Sequence, residues 1–179
     1  MEESEHIIET PLGQVAFEVT TNSGDLSRLK YKCCEFVPVL PSEMSVEKCI
    51  VIIMRCSTLA PFRNLSFHCK WKNLQEKGYA CSGEGLDAWE WGTDNYTVTV
   101  GTEDSDLLKS RMNIKGLNNK NYSVTMSDNK VSINLEEFPE NTELTLHYIV
   151  AWNPEPEPVS NSCWFAVDQP HEKMQEICK

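Results

Sequence analysis

The chain has 179 residues, 24% charged and 40% apolar, with 16 Lys and Arg against 27 Asp and Glu for a formal net charge of -11. No stretch approaches the 18 or more consecutive apolar residues of a membrane-spanning helix, and the scattered basic residues give no electrostatic footprint for nucleic acid. Nine prolines, eight glycines and a spread of Trp, Tyr and Phe exclude a coiled coil, a collagen repeat and a disordered chain.

Residues 1–10 carry Glu2, Glu3, Glu5 and Glu9 and read as a flexible acidic N-terminus. From Gly13 to Thr20 apolar and polar residues alternate, Val15, Phe17 and Val19 on one face, before turn residues at Asn22–Asp25. Leu29 to Val37 alternates again and stops at Pro38. The run Cys49–Met54 is continuously apolar, short and β-branched, which predicts a central strand covered on both faces. Leu65, Phe67, Cys69 and Trp71 share one face of a half-buried strand. Strands are also predicted at Tyr96–Val100, at Tyr122–Met126 and Val131–Leu135 around a hairpin on Asp128-Asn129, and at Leu144–Trp152 and Ser162–Val167.

Helix is scarce. Asp104 caps two predicted turns ending near Arg111, and residues 168–178 form a short C-terminal helix with Asp168 as cap and Pro170 in the first turn. The predicted fold is therefore all-β, an antiparallel β-sandwich or flattened barrel of about nine or ten strands with a short C-terminal helix, in one domain over 1–179.

The eight cysteines contain no C-x-x-C pair, which argues against a zinc ribbon or a thioredoxin-like redox site. Asn64, Asn95 and Asn121 head glycosylation sequons. The opening Met-Glu-Glu-Ser-Glu-His has neither a basic n-region nor an apolar h-region, so the expected compartment is the reducing cytoplasm; the alternative is a secreted domain whose signal peptide is missing from this sequence.

The most unusual stretch is Cys81–Asp94, with three glycines, four acids and two tryptophans in alternate positions. Its Glu84, Asp87, Trp89, Glu90, Trp91 and Asp94, together with Glu155 and Glu157 of the Pro-Glu loop, are the candidate binding residues. Trp89 and Trp91 fall on one side of an extended chain, and amphipathic aromatics beside carboxylates suit a protein or sugar interface. The EF-hand spacing is missing, and His6, His68, His147 and His171 show no metal-ligand spacing, so no metal and no cofactor are expected. A Cys69–His147 catalytic pair has no local signature, and His147 reads as a structural histidine. No P-loop, G-x-S-x-G elbow or G-x-G-x-x-G is present.

These features predict a non-catalytic acidic binding protein. Its expected partner is a basic protein surface, such as a toxin or enzyme neutralised by an inhibitor or immunity-type antidote. The alternatives are a carbohydrate- or small-ligand-binding β-module on Trp89 and Trp91, and an enzyme whose site is assembled from distant His, Cys and carboxylate residues.

Overall fold

A computed structural model describes residues 5–22, 29–57, 61–74, 76–112 and 122–179. The expected turn after Asn22, the first four residues and the Asn121 sequon lie outside them. Period-two alternation gives strands such as β2 and β5 one apolar face to bury, and the chain answers by laying two antiparallel sheets face to face. The first has the order β1 (Glu5–Thr10), β2 (Gly13–Thr20), β5 (Phe62–Trp71), β10 (Lys130–Phe138), β9 (Tyr122–Ser127). The second runs β3 (Lys30–Glu35), β4 (Lys48–Ser57), β11 (Glu143–Pro154), β8 (Tyr96–Glu103), β7 (Leu86–Gly92), β6 (Tyr79–Ala80). This is the expected β-sandwich.

Between the sheets lies the main core. Val15, Phe17, Phe67, Cys69 and Ile133 meet Ile52, Met54, Val98, Val100 and Tyr148 there. The outer face of the five-stranded sheet is polar, joined by side-chain pairs such as Ser66–Asn134 at 2.9 Å and His68–Ser132 at 2.8 Å. The outer face of the six-stranded sheet is apolar instead. Cys49, Val51, Ile53, Ile149 and Ala151 form a second core with residues of two helices, α2 (Ser162–Val167) and α3 (His171–Ile177). That second layer is why β4 is apolar on both faces, as its sequence predicts.

Four expectations need correction. Residues 5–10 are an edge strand, not a flexible tail: β1 pairs with β2 in full register, from Glu5↔Glu18 to Thr10↔Gly13. Ser162–Val167 is helical. Its buried residues, Ser162, Cys163, Ala166 and Val167, recur at one helical face, and the Glu157 carboxylate accepts the free N–H groups of Ser162 (3.1 Å) and Cys163 (2.8 Å) at its start. Residues 86–92, outside the predicted strands, are a strand hydrogen-bonded to β8 from Leu86↔Glu103 to Gly92↔Thr97. Asp168 ends α2, whereas Pro170 occupies the N-cap of α3 without a side-chain cap bond.

One helix matches its prediction. In α1 (Ser105–Arg111), Asp104 Oδ1 accepts the N–H groups of Asp106 and Leu107 at 3.0 and 2.8 Å. Its Oδ2 takes the Gly85 N–H at 2.9 Å, tying α1 to the turn before β7. No helix among the described residues is long and apolar enough to cross a membrane.

Candidate functional site

Six of the eight predicted binding residues divide between the core and two clefts, and Asp87 and Asp94 lie in neither. Trp91 is fully buried between the sheets, packed edge-on to Trp71 with centroids 5.4 Å apart and donating its indole N–H to Asp128 O at 2.8 Å. Trp89 projects to the same side, as alternation requires, and is half-buried against that core. The common side is therefore the inside. An exposed Trp89–Trp91 platform is ruled out because the pair faces the opposite sheet; even Gly78 must lack a side chain, since a Cβ there would meet the Trp89 Nε1 at 1.9 Å. Asp94 is exposed in the β7–β8 turn and lines neither cleft.

Glu90, Glu155 and Glu157 do come together. They line a cleft of about 490 Å³ with Tyr79, Thr97 and Asn161. β7 supplies Glu90, and the 154–158 loop supplies the other two, anchored by the Glu155 N–H on Asn95 O at 2.7 Å. Each carboxylate is held by neutral donors. Thr97 Oγ1 donates to Glu155 at 2.6 Å, Thr99 Oγ1 and the Tyr79 hydroxyl donate to Glu90, and Asn153 Nδ2 joins the α2 amides on Glu157. None of the three carboxylates has a cationic partner among the described residues. The uncompensated charge registers on neighbouring groups: burial first, then Glu90, pushes the Cys81 thiol up to about 12, and burial with Glu157 raises Cys163.

The β3–β4 loop carries exposed apolar residues. In 36–47, Val37 and Val39 are 92% and 74% exposed. Asn153 ties the end of this loop to the cleft, accepting the Glu47 N–H at 2.7 Å while its Nδ2 donates to Ser45 O and Glu157.

Glu84 lines a different cleft of about 520 Å³, between α1 and the start of α3. Its inner wall holds a group that sequence spacing did not suggest. Gly101 and Ile149 pair in the β8–β11 ladder, and Glu103 and His147 each lie two residues beyond that pair, on the outer face. There His171, the first residue of α3, meets His147 with Nδ1 atoms 2.8 Å apart. Glu103 Oε2 lies 3.8 Å from His171 Nδ1 and is gripped by Arg111 through contacts of 2.6–3.1 Å. Both histidines are buried, and both are held neutral with pKa values lowered to about 3. Desolvation is the main cause for each; Arg111 adds to it for His147, and His147 and then Arg111 for His171, against a smaller opposing pull from Glu103.

The hydrogen-bond chain fixes the protons as a set. Gln175 Nε2 lies 2.9 Å from His171 Nε2, so the amide donates, His171 carries its proton on Nδ1, and His147 Nδ1 accepts it. Asp87, half-buried near Ser82 and Asp104, has its carboxyl raised by burial, and it sits at the far end of β7 from the acidic cleft. Cys69 and His147 form no pair: Cys69 lies between the sheets and His147 on the outer face of β11.

No family model matches the chain, and no curated protein matches it. Among solved structures, one similar chain is a proposed kojibiose phosphorylase from human microbiome, at 12% identity and a TM-score of 0.38. The alignment covers 92% of this chain and 20% of that one, so the chain spans about a fifth of that protein's length. A likeness this distant carries no argument about activity.

Proposed function

We propose that the protein is a non-catalytic acidic binding protein whose partner is a basic protein surface, and that the Glu90–Glu155–Glu157 cleft receives a Lys or Arg side chain of that partner. The observation that carries this reading is the convergence, from two separate segments, of three carboxylates that lack a counter-ion among the described residues. Their neutral hydrogen-bond donors fix them in place before any partner arrives, so little side-chain entropy is lost on binding. The exposed Val37 and Val39 would supply apolar contact that a charge alone does not, on a loop whose end, at Ser45 and Glu47, is tied through Asn153 to Glu157. An acidic field of this sign also speeds encounter with a cationic protein. Inhibition of a basic enzyme or toxin is the role that this surface fits best.

Zero-length carbodiimide cross-linking, which joins a carboxylate to a lysine amine in contact, tests the location. Cross-links from a bound protein should map to Glu90 or Glu155 and weaken at high salt. Cross-links confined to other acids, or complexes indifferent to salt, would reject the assignment.

A further inference from the structure

We infer that Glu103, His147 and His171 form a binding site for a divalent transition-metal cation of the zinc class, open to the cleft between α1 and α3. This site is separate from the proposed protein-binding cleft and stands whether or not that reading holds. The residue set is the first reason. One ligand atom from each of the three lies within 4.8 Å of the others, and two imidazoles with one carboxylate are the ligands of many zinc sites that keep a fourth position for water or substrate.

Separation is the second. Two nitrogens bound at about 2.05 Å to a tetrahedral ion sit roughly 3.3 Å apart. The Nδ1 atoms of His147 and His171 are 2.8 Å apart, at present joined by one proton. A cation takes the place of that proton. The His171 proton then moves from Nδ1 to Nε2 of the same ring, and Gln175 turns its amide to accept it through Oε1 instead of donating through Nε2. No proton is gained or lost overall, and the outer nitrogen of His171 acquires the carbonyl partner that metal-bound histidines usually have.

Glu103 is the third ligand and the one that moves: its Oε2 swings inward from 3.8 Å and gives up the Arg111 Nη2 contact of 2.6 Å, while Arg111 Nε keeps its hold on Oε1 at 2.9 Å. Arg111 reduces the attraction for a cation, and it also keeps the carboxylate aimed. Glu103 and His171 line the cleft, so the remaining coordination position faces about 520 Å³ of accessible space.

The test is titration of the whole, metal-depleted protein under reducing conditions with Co2+ as a spectroscopic probe, followed by displacement with Zn2+. One equivalent of Co2+ should give the intense visible bands of a four-coordinate ion, without the near-ultraviolet sulfur-to-cobalt bands of thiolate ligation. Glu103→Gln should weaken binding ten- to a hundredfold, and His171→Gln should abolish it. Because His147 is fully packed and its replacement risks the fold, Glu103→Gln and the wild-type spectrum carry the decision. Absent visible bands, thiolate bands, or equal affinity in wild type and Glu103→Gln would each overturn the site.

Discussion

Tyr148, on the inner face of the six-stranded sheet, donates its hydroxyl to the backbone carbonyl of Phe67 in the opposite sheet at 2.8 Å. The same oxygen accepts the Ile133 N–H at 3.1 Å, and the Tyr148 ring packs 4.9 Å from that of Phe67. One buried side chain thus closes hydrogen bonds between layers packed mainly through apolar contact, as the Trp91 indole does at Asp128. Tyr148→Phe keeps the ring and strands those backbone groups, which costs about 1–3 kcal/mol. A urea titration should show a lower midpoint with an unchanged slope.

Gly101 lies beneath α2. A Cβ there would fall 2.8 Å from Val167 Cγ2 and 2.9 Å from Val167 Cβ, too near for a real contact, so the helix rests on β8 only because residue 101 has no side chain. Gly101→Ala should destabilise by about 1–3 kcal/mol through overpacking. Pairing it with Val167→Ala should recover part of that loss, and a double-mutant cycle measured by denaturation reads the coupling.

Asp104 secures α1, and α1 carries Arg111 to Glu103. Removing the cap in Asp104→Ala should cost about 1 kcal/mol of stability. Faster amide exchange should appear at Asp106, Leu107 and Gly85, with little change in the rest of the sheet.

Acid should weaken the metal-free fold through the paired histidines. His147 and His171 have folded pKa values near 3, against 6.5 for an unburied imidazole. Between those values the unfolded chain binds protons that the folded chain does not, so stability falls as pH drops from about 6.5 toward 3 and is independent of these two groups above that window. Urea midpoints of wild type and His171→Gln, followed across the window, should converge as pH falls, the variant showing the shallower slope. Parallel slopes would mean that the pair is not held neutral.

The strands were legible because alternation reports burial directly: Val15, Phe17 and Val19 face the core as their spacing requires, and the doubly apolar β4 announces the helical layer on its far side. Ser162–Val167 was misread because six residues satisfy a two-fold and a helical period almost equally well, and the deciding contact, Glu157 on its first amides, is made by a side chain of the preceding loop. The tryptophans show the limit of periodicity. It placed Trp89 and Trp91 on one side and could not say which side was the interior. The acidic cleft was half legible, since Glu90, Glu155 and Glu157 were all candidates while their meeting depends on β7 lying beside β8 and on the Glu155–Asn95 backbone bond. The histidine pair left no local signal. His147 and His171 lie 24 residues apart and meet only because α3 folds back over β11.

The most direct measurement is the affinity for a captured basic partner of wild type against a Glu90→Lys, Glu155→Lys double variant, each across a range of ionic strength. The proposed function predicts a loss of at least tenfold for the variant, with a flattened salt dependence, and recovery when the cross-linked lysine of the partner is changed to glutamate. Equal affinity and equal salt dependence in the two proteins would contradict it.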